Sequence, residues 1–301
     1  MNLELFLRYL RYEKNYSSYT ALFYQKDLEQ FVAFRSTLRS DANVMPVESD
    51  DVRNWIMSLS EQGLSPRTIG RKVSALRSYY KFMQSRGEVV ENPTVGVKLP
   101  KTRKMLPSFV RPEQMQQLLE RNEQSDCFEA VRDNLIVAML YETGMRRAEL
   151  IGLLDIAVDN IVCELRVLGK RNKERVIPYG ESLRKSIDYY RVLRSEVVGE
   201  AERFFVRNNG EPMYGKQIYN IVHRALGEVS TLAKKSPHVL RHSFASAMLN
   251  DGAGINSVKE LLGHSSLAST EVYTHITFEE LKQSYKQAHP RAEKKGGHYG
   301  R

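Results

Sequence analysis

Cysteine is scarce: Cys127 and Cys163 are the only two among 301 residues. They are too few for a disulfide framework and are not spaced as metal ligands. Both are expected to be buried thiols in a reducing cytosol. Long apolar runs are missing as well. The longest uncharged one, Leu135 to Tyr141, is far too short to cross a bilayer. The opening MNLELFLRYLRYEKN carries charges where a secretory leader would carry an apolar core. The expectation is a soluble, cytoplasmic protein with no membrane partner. There is no G-x-x-x-x-G-K-[ST] loop and no clustered carboxylate set. Internal repeats and long low-complexity tracts are also lacking.

What the chain does have is unevenly placed positive charge. Its apolar fraction of 42% is ordinary for a globular protein, and its length suffices for two domains with proper cores. The net charge of +9 makes a polyanion the natural partner. Between Arg67 and Lys104 only Glu88 and Glu91 oppose ten Lys and Arg residues, so this stretch holds a net +8 and the rest of the chain adds +1.

Residues 1 to 92 read as a helical domain. Stripes run along Leu3 to Tyr12 and Tyr19 to Phe34, and Ser49 is placed to cap a helix carrying Val52, Trp55, Ile56 and Leu59. Ser65-Pro66 is an N-cap followed by proline at the first helical position, and Gly87 closes that helix. Ile69, Val73, Leu76, Tyr80 and Met83 form its apolar stripe, with Arg67, Arg71, Arg77 and Lys81 on the other side. An ordinary solvated face would mix the signs. Six bases and no acid from Arg67 to Arg86 point to a helix that lies against phosphates. Pro93, Pro100 and Pro107 then forbid a continuous helix, and 93–106 reads as an extended linker made basic by Lys98, Lys101, Arg103 and Lys104. A second domain follows over 107–290. It has helical patterns at 112–122 and 129–142, a hairpin at 161–179 with arms Val162 to Leu168 and Glu174 to Pro178, and helices again from 181, broken by an Asn208-Asn209-Gly210 turn. Residues 291–301 read as a disordered tail.

The chemistry-bearing residues fall in this second domain. Arg146 follows Gly144, where a tight turn feeds a new helix, a place for a guanidinium to grip an anion. Its neighbour Arg147 reads as a surface residue. His238 and Arg241 form H-x-x-R after the helix-start pair Ser236-Pro237, so both share a face and can meet one phosphate. His264 follows a Leu-Gly helix end. Tyr273 lies nine residues beyond it. Singly, each has a bland reading: a surface pair, a structural histidine, a half-buried aromatic. Together they make chemical sense. A tyrosine hydroxyl, with a pKa of about 10, attacks only where neighbours accept its proton and the electrophile's charge is neutralised. A phosphodiester flanked by guanidiniums and imidazoles meets both conditions.

The segments TGMRRAEL, GKRNKER, HVLRHSFA and LLGHSSLASTEVYTH resemble the tyrosine recombinase family's TGLRxSEL, GKGNKER, HxLRHSFA and LLGHxSLxTTxxYTH, closest to its XerC/XerD branch. EKNYSSYTALFYQKDLEQF, Glu13 to Phe31, similarly resembles the start of the family's core-DNA-binding domain. The resemblance implies a mainly α fold with a small β-hairpin or sheet, in which a helical DNA-binding domain and a mixed α/β catalytic domain clamp DNA. It assigns Arg146, Lys170, His238, Arg241, His264 and Tyr273 to the active site. Tyr273 would attack the scissile phosphate to give a 3′-phosphotyrosine. Arg146 and Arg241 would hold the non-bridging oxygens, and Lys170 on the hairpin turn would protonate the leaving 5′-oxygen, with Lys173 its local rival. His238 would be base toward the tyrosine, and His264 would hold a phosphate oxygen or orient the site. The linkage conserves bond energy, so neither ATP nor a metal is implied, and no cofactor is expected. The implied partners are a double-stranded DNA recombination site and a homo- or hetero-tetramer with a related recombinase, with room for an activating DNA translocase or accessory protein, at the nucleoid. Xer-like dimer resolution and simple integration or excision both fit, and the chain leaves no room for an added arm-binding domain. The competing readings are a type IB-like DNA relaxing enzyme and a non-catalytic DNA-binding module. The stripe Phe278, Leu281, Tyr285 and Ala288 defines a terminal helix that must bury itself in its own domain or, as the family favours, in another subunit.

Overall fold

A computed structural model describes residues 2–38, 46–101, 109–121, 125–169, 174–263, 283–285, 287–289 and 291. Lys170, Lys173, His264, Tyr273, Arg103, Lys104, Phe278, Leu281 and the tail from 292 lie outside the described residues. The chain divides into two compact units, Met1–Met105 and Leu106–Arg301.

The first unit is helical, as the stripes predict. It comprises α1 (Leu3–Arg8), a π-helical turn (Tyr9–Glu13), α2 (Ser18–Leu38), α3 (Ser49–Glu61) and α4 (Pro66–Ser85). Phe6, Leu10, Leu28, Phe31, Trp55, Val73 and Leu76 fill its core. Trp55 packs edge-on to Phe31 at 5.0 Å, a favourable aromatic geometry. The cap of α3 differs from expectation. Glu48, not Ser49, is the N-cap residue, and its N–H donates to Asp51 Oδ2 at 3.1 Å. An acid at the third helical position thus captures the donor just ahead of the serine. Ser65 does cap α4, its Oγ accepting from the Thr68 N–H at 3.2 Å. The stretch expected to be a linker from 93 onward begins inside this unit, because Val97 is buried in its core and Thr94 is fully buried.

The second unit is built around α6 (Phe128–Thr143), which is buried almost all round from Leu135 to Thr143. A helix without a wet face belongs at the centre. Around it lie α5 (Pro112–Arg121), α7 (Arg147–Gly152), α8 (Glu181–Val197), α9 (Gly215–Val229), α10 (Pro237–Asn250) and α11 (Ile255–Leu262). The expected hairpin is present as β2 (Glu164–Leu168) and β3 (Glu174–Pro178), paired antiparallel with Leu165 opposite Ile177. A short β1 (Val158–Asp159), unforeseen at two residues, extends it to a three-stranded antiparallel sheet. Leu165 and Val167 face the core while Arg166 points out, the alternation of a half-covered strand.

Cys127 is exposed, not buried, because it sits at the N-cap of α6 outside the helix's apolar run, and Cys163 is half-buried at a turn. Tyr285 and Ala288 pack inside their own unit against Phe244, Met248, Val258, Leu261 and Leu262. Arg291 fixes this segment through Glu142 Oε1 at 2.8 Å and Ser182 Oγ at 2.7 Å. No helix among the described residues is long and apolar enough to cross a membrane.

Candidate active site

Four backbone features deliver the site. Helix α6 ends at Gly144, in the left-handed region at φ 60. A Cβ there would meet Phe244 Cδ1 at 2.5 Å and Leu262 Cδ2 at 2.9 Å. Glycine is therefore required twice, by backbone conformation and by the close approach of α10 and α11. The turn hands the chain to α7, with Arg146 as its N-cap residue. Helix α10 starts at Pro237 after Ser236, as the sequence predicts. Helix α11 ends at Gly263, again left-handed at φ 63.

These elements bring Arg146 and Arg241 together from opposite ends of the unit. Arg146 Nη2 donates to the Gly263 carbonyl at 2.9 Å, and Arg241 Nη2 donates to the Leu262 carbonyl at 2.6 Å. Two guanidiniums 95 residues apart in sequence thus meet successive carbonyls, one residue before His264. Arg241 Nη1 also donates to the Gly144 carbonyl at 2.7 Å. Arg241 is buried, while the Arg146 side chain is 34% exposed. Burial, reinforced by the charge of Arg146, lowers Arg241 to about 10.

A carboxylate and a third arginine complete the cluster, and neither was singled out in the sequence. Glu149 Oε1 accepts from Arg146 Nη1 at 2.7 Å, and its Oε2 accepts from the Arg146 backbone N–H at 2.7 Å. Arg175 on β3 grips the same carboxylate with both Nη1 and Nη2 at 2.8 Å, and its Nε donates to the Leu261 carbonyl at 2.9 Å. Burial pushes the Glu149 carboxyl up, but the hydrogen bonds from Arg175 and Arg146 overcome it and hold the group at about 2. The spacing Arg146-x-x-Glu149 is that of a capping box, a signal that could have flagged the acid. Arg175 carries no comparable signal.

His238, in the first turn of α10, is exposed, whereas Arg241 one turn on is buried. Burial of part of the ring, followed by the charges of Lys234, Arg147 and Arg241, lowers the His238 pKa below its ordinary value. The imidazole is therefore neutral at neutral pH and able to accept a proton. Arg147 is exposed, as expected, and donates to the Gly215 carbonyl at 3.2 Å.

In the first unit Arg67, Arg71, Arg77 and Lys81 all lie on the exposed side of α4, and Lys101 is exposed as well. The four helix residues are not equivalent. Arg71 is tied to buried Asp27, with Nη2 to Oδ1 at 3.1 Å, and lies over the Phe23 ring at 5.6 Å. Lys72, which is buried, shares that carboxylate at 3.0 Å. Arg71 thus differs from the other three in sharing its guanidinium with a buried aspartate on α2.

The comparisons with known proteins follow the same division. The model described as "Phage integrase family" matches residues 108–280, and "Phage integrase, N-terminal SAM-like domain" matches 3–87. "Tyrosine recombinase XerC" of Oceanobacillus iheyensis is 38% identical over 297 residues, covering 96% of each chain. The protein of the same name from Bacillus subtilis strain 168 is 37% identical over 297 residues, covering 97% of each. Among solved structures, the XerH site-specific recombinase bound to difH substrate has a similar fold, with a TM-score of 0.67 at 22% identity, covering 94% of this chain and 82% of that one.

Proposed function

The chain belongs to the phage integrase family, in its XerC/XerD branch of site-specific tyrosine recombinases, and on that basis we propose that it cuts and rejoins double-stranded DNA by the following route. Tyr273 attacks the scissile phosphorus through its phenolic oxygen. The bond to the 5′-oxygen breaks, leaving a 3′-phosphotyrosine and a free 5′-hydroxyl, and a 5′-hydroxyl from the partner duplex reverses the step. No bond energy is lost, and strand exchange passes through a Holliday junction.

Arg146 and Arg241 bind the non-bridging oxygens and stabilise the added charge of the pentacoordinate transition state. His238, neutral at working pH, takes the tyrosine proton. Lys170 donates the proton to the leaving oxygen, and His264 holds or orients the phosphate. The observation that carries this reading is the meeting of Arg146 and Arg241 on the Leu262 and Gly263 carbonyls, directly before His264. A pair of guanidiniums gathered at one point, with a carboxylate to orient one of them, is built for a phosphoryl oxyanion.

The partner is a DNA recombination site held by four protomers, with a related recombinase completing the tetramer and an accessory DNA translocase as activator. The biological task is Xer-like resolution of chromosome dimers, carried out in the cytoplasm at the nucleoid. The relatives named for XerC, 37–38% identical over 96–97% of the chain, support this over integration of a mobile element. Lys101, Arg103 and Lys104 join the α4 bases in binding phosphates.

The test is covalent trapping on a nicked half-site carrying the cognate sequence. The wild-type chain is expected to accumulate a protein–DNA adduct, and Tyr273→Phe to bind the same DNA without forming one. An adduct that persists in Tyr273→Phe removes this nucleophile. Arg146→Lys and Arg241→Lys should each lose on the order of 100-fold in adduct rate, because a point charge cannot reproduce the fork.

A further inference from the structure

Arg175 takes no part in the mechanism above, yet every nitrogen of its guanidinium is engaged within the site. These donors reach two separate elements: Nη1 and Nη2 to Glu149 on α7, and Nε to the Leu261 carbonyl at the end of α11. Arg175 stands on β3, two residues after Lys173 in the sequence. Its side chain is only 13% exposed, against 34% for Arg146, so it is turned inward and not offered to a substrate. Gly263 is moulded around it. A Cβ at that position would meet Arg175 Cδ and Nη1 at 3.2 Å, so the residue that leads into His264 is fitted to this guanidinium.

Resting on the recombinase reading of the site, we infer that Arg175 is a positioning residue for strand cleavage, which acts by restraining Glu149. The argument is one of competition. Glu149 is buried and ionised, and it accepts from two guanidiniums. With Arg175 occupying both oxygens, the Arg146 side chain contributes only Nη1 and keeps Nη2 on the Gly263 carbonyl. Remove Arg175 and a buried carboxylate is left underpaired, a costly state. Arg146 is the nearest cure. Its planar guanidinium would swing onto the vacated oxygens as a two-pronged fork, abandoning both Gly263 and the phosphate. Arg175 thus keeps Arg146 available by satisfying the acid that orients it. Because it also pins the Leu261 carbonyl beside the carbonyls that hold Arg241 and Arg146, it links β3 to the end of α11.

The experiment is a suppressor test on the full chain, with half-site binding and adduct rate measured separately. Arg175→Gln is expected to bind the half-site normally and to form adduct about 100-fold more slowly, the cost typical of a misplaced reacting group. Glu149→Gln removes the charge that captures Arg146 but can still accept its backbone N–H. The double variant Arg175→Gln/Glu149→Gln should therefore recover about tenfold or more over Arg175→Gln alone. A residue that merely holds the fold together gives the opposite, a double variant no faster than the single. That outcome overturns the proposal, as does a wild-type adduct rate in Arg175→Gln. Arg175→Lys, which keeps the charge and loses the fork, serves the same comparison if the glutamine variant does not fold. A wild-type chain that forms no adduct overturns the recombinase reading and this inference with it, whereas an active wild type with no suppression overturns this inference alone.

Discussion

Glu149 shows how one buried side chain can set the electrostatics of the whole cluster. Its carboxyl is held at about 2 against an ordinary 4.5, because charged donors outweigh its burial. A depressed carboxylate pKa stabilises the folded chain fully above the unfolded value, and that stability is lost as pH falls through the folded one. The stability difference between wild type and Glu149→Gln should therefore be largest above about pH 5 and vanish near pH 2, with a plateau of about 3 kcal/mol. Chemical denaturation along a pH series reads this directly, and a difference that stays flat across that window would contradict the ionised clamp. His238 also titrates on the acid side of neutrality. Its pKa lies below the ordinary 6.5 through burial and the surrounding cations, so as base it is active above its own pKa and lost below it. The acid limb of adduct formation should consequently fall below pH 6.5 and disappear in His238→Gln. An acid limb above that value would take the role away from His238.

At the scale of elements, the sequence was most legible where backbone rules act alone. Ser65-Pro66, Ser236-Pro237, Gly144 and Gly263 mark helix ends that the structure has, because caps and left-handed turns depend on local chemistry. Long-range pairing was not legible. Nothing in EKNYSSYTALFYQKDLEQF announces that Asp27 will claim Arg71, and nothing around Arg175 announces Glu149, since both pairs form only when distant segments pack. Two-residue β1 escaped for a related reason: a strand that short has no periodicity to read. The Asp27 pair splits the basic face of α4 into two kinds of residue, and the split can be measured. Neutralising exposed Arg67, Arg77 and Lys81 together should flatten the salt dependence of DNA affinity by roughly 0.9 log units for each phosphate no longer neutralised, with little change in melting temperature. Arg71→Gln instead leaves buried Asp27 with Lys72 alone, and should lower the melting temperature as well as weaken binding. An unchanged salt slope in the triple variant would return α4 to an ordinary solvated face.

For the whole molecule, the C-terminal segment offers a physical handle by which the proposed assembly would control cutting. Tyr285 and Ala288 fill a cleft lined by Phe244, Met248, Val258, Leu261 and Leu262. The lining side chains belong to α10 and α11, whose backbone at Leu261, Leu262 and Gly263 also binds Arg175, Arg241 and Arg146. Whatever occupies the cleft therefore bears on the arginine cluster through one short stretch of helix. In the free chain the occupant is the chain's own segment, closed by the buried Arg291–Glu142 pair. In the proposed four-protomer complex a neighbour's segment would compete for the same cleft, and a cyclic exchange would leave each cleft filled while making each site depend on the next protomer. Deleting residues from Leu281 onward separates the two jobs. The truncated chain should lose stability, since emptying an aromatic-sized cavity costs about 3 kcal/mol or more, and should bind a half-site as a monomer while losing cooperative pairing and adduct formation. A peptide spanning 281–301, added in trans, should refill the cleft and restore part of both the melting temperature and the adduct rate. If the truncated chain paired and cut at the wild-type rate without the peptide, the cleft would have no hold on the active site, and coordination would have to be sought elsewhere in the molecule.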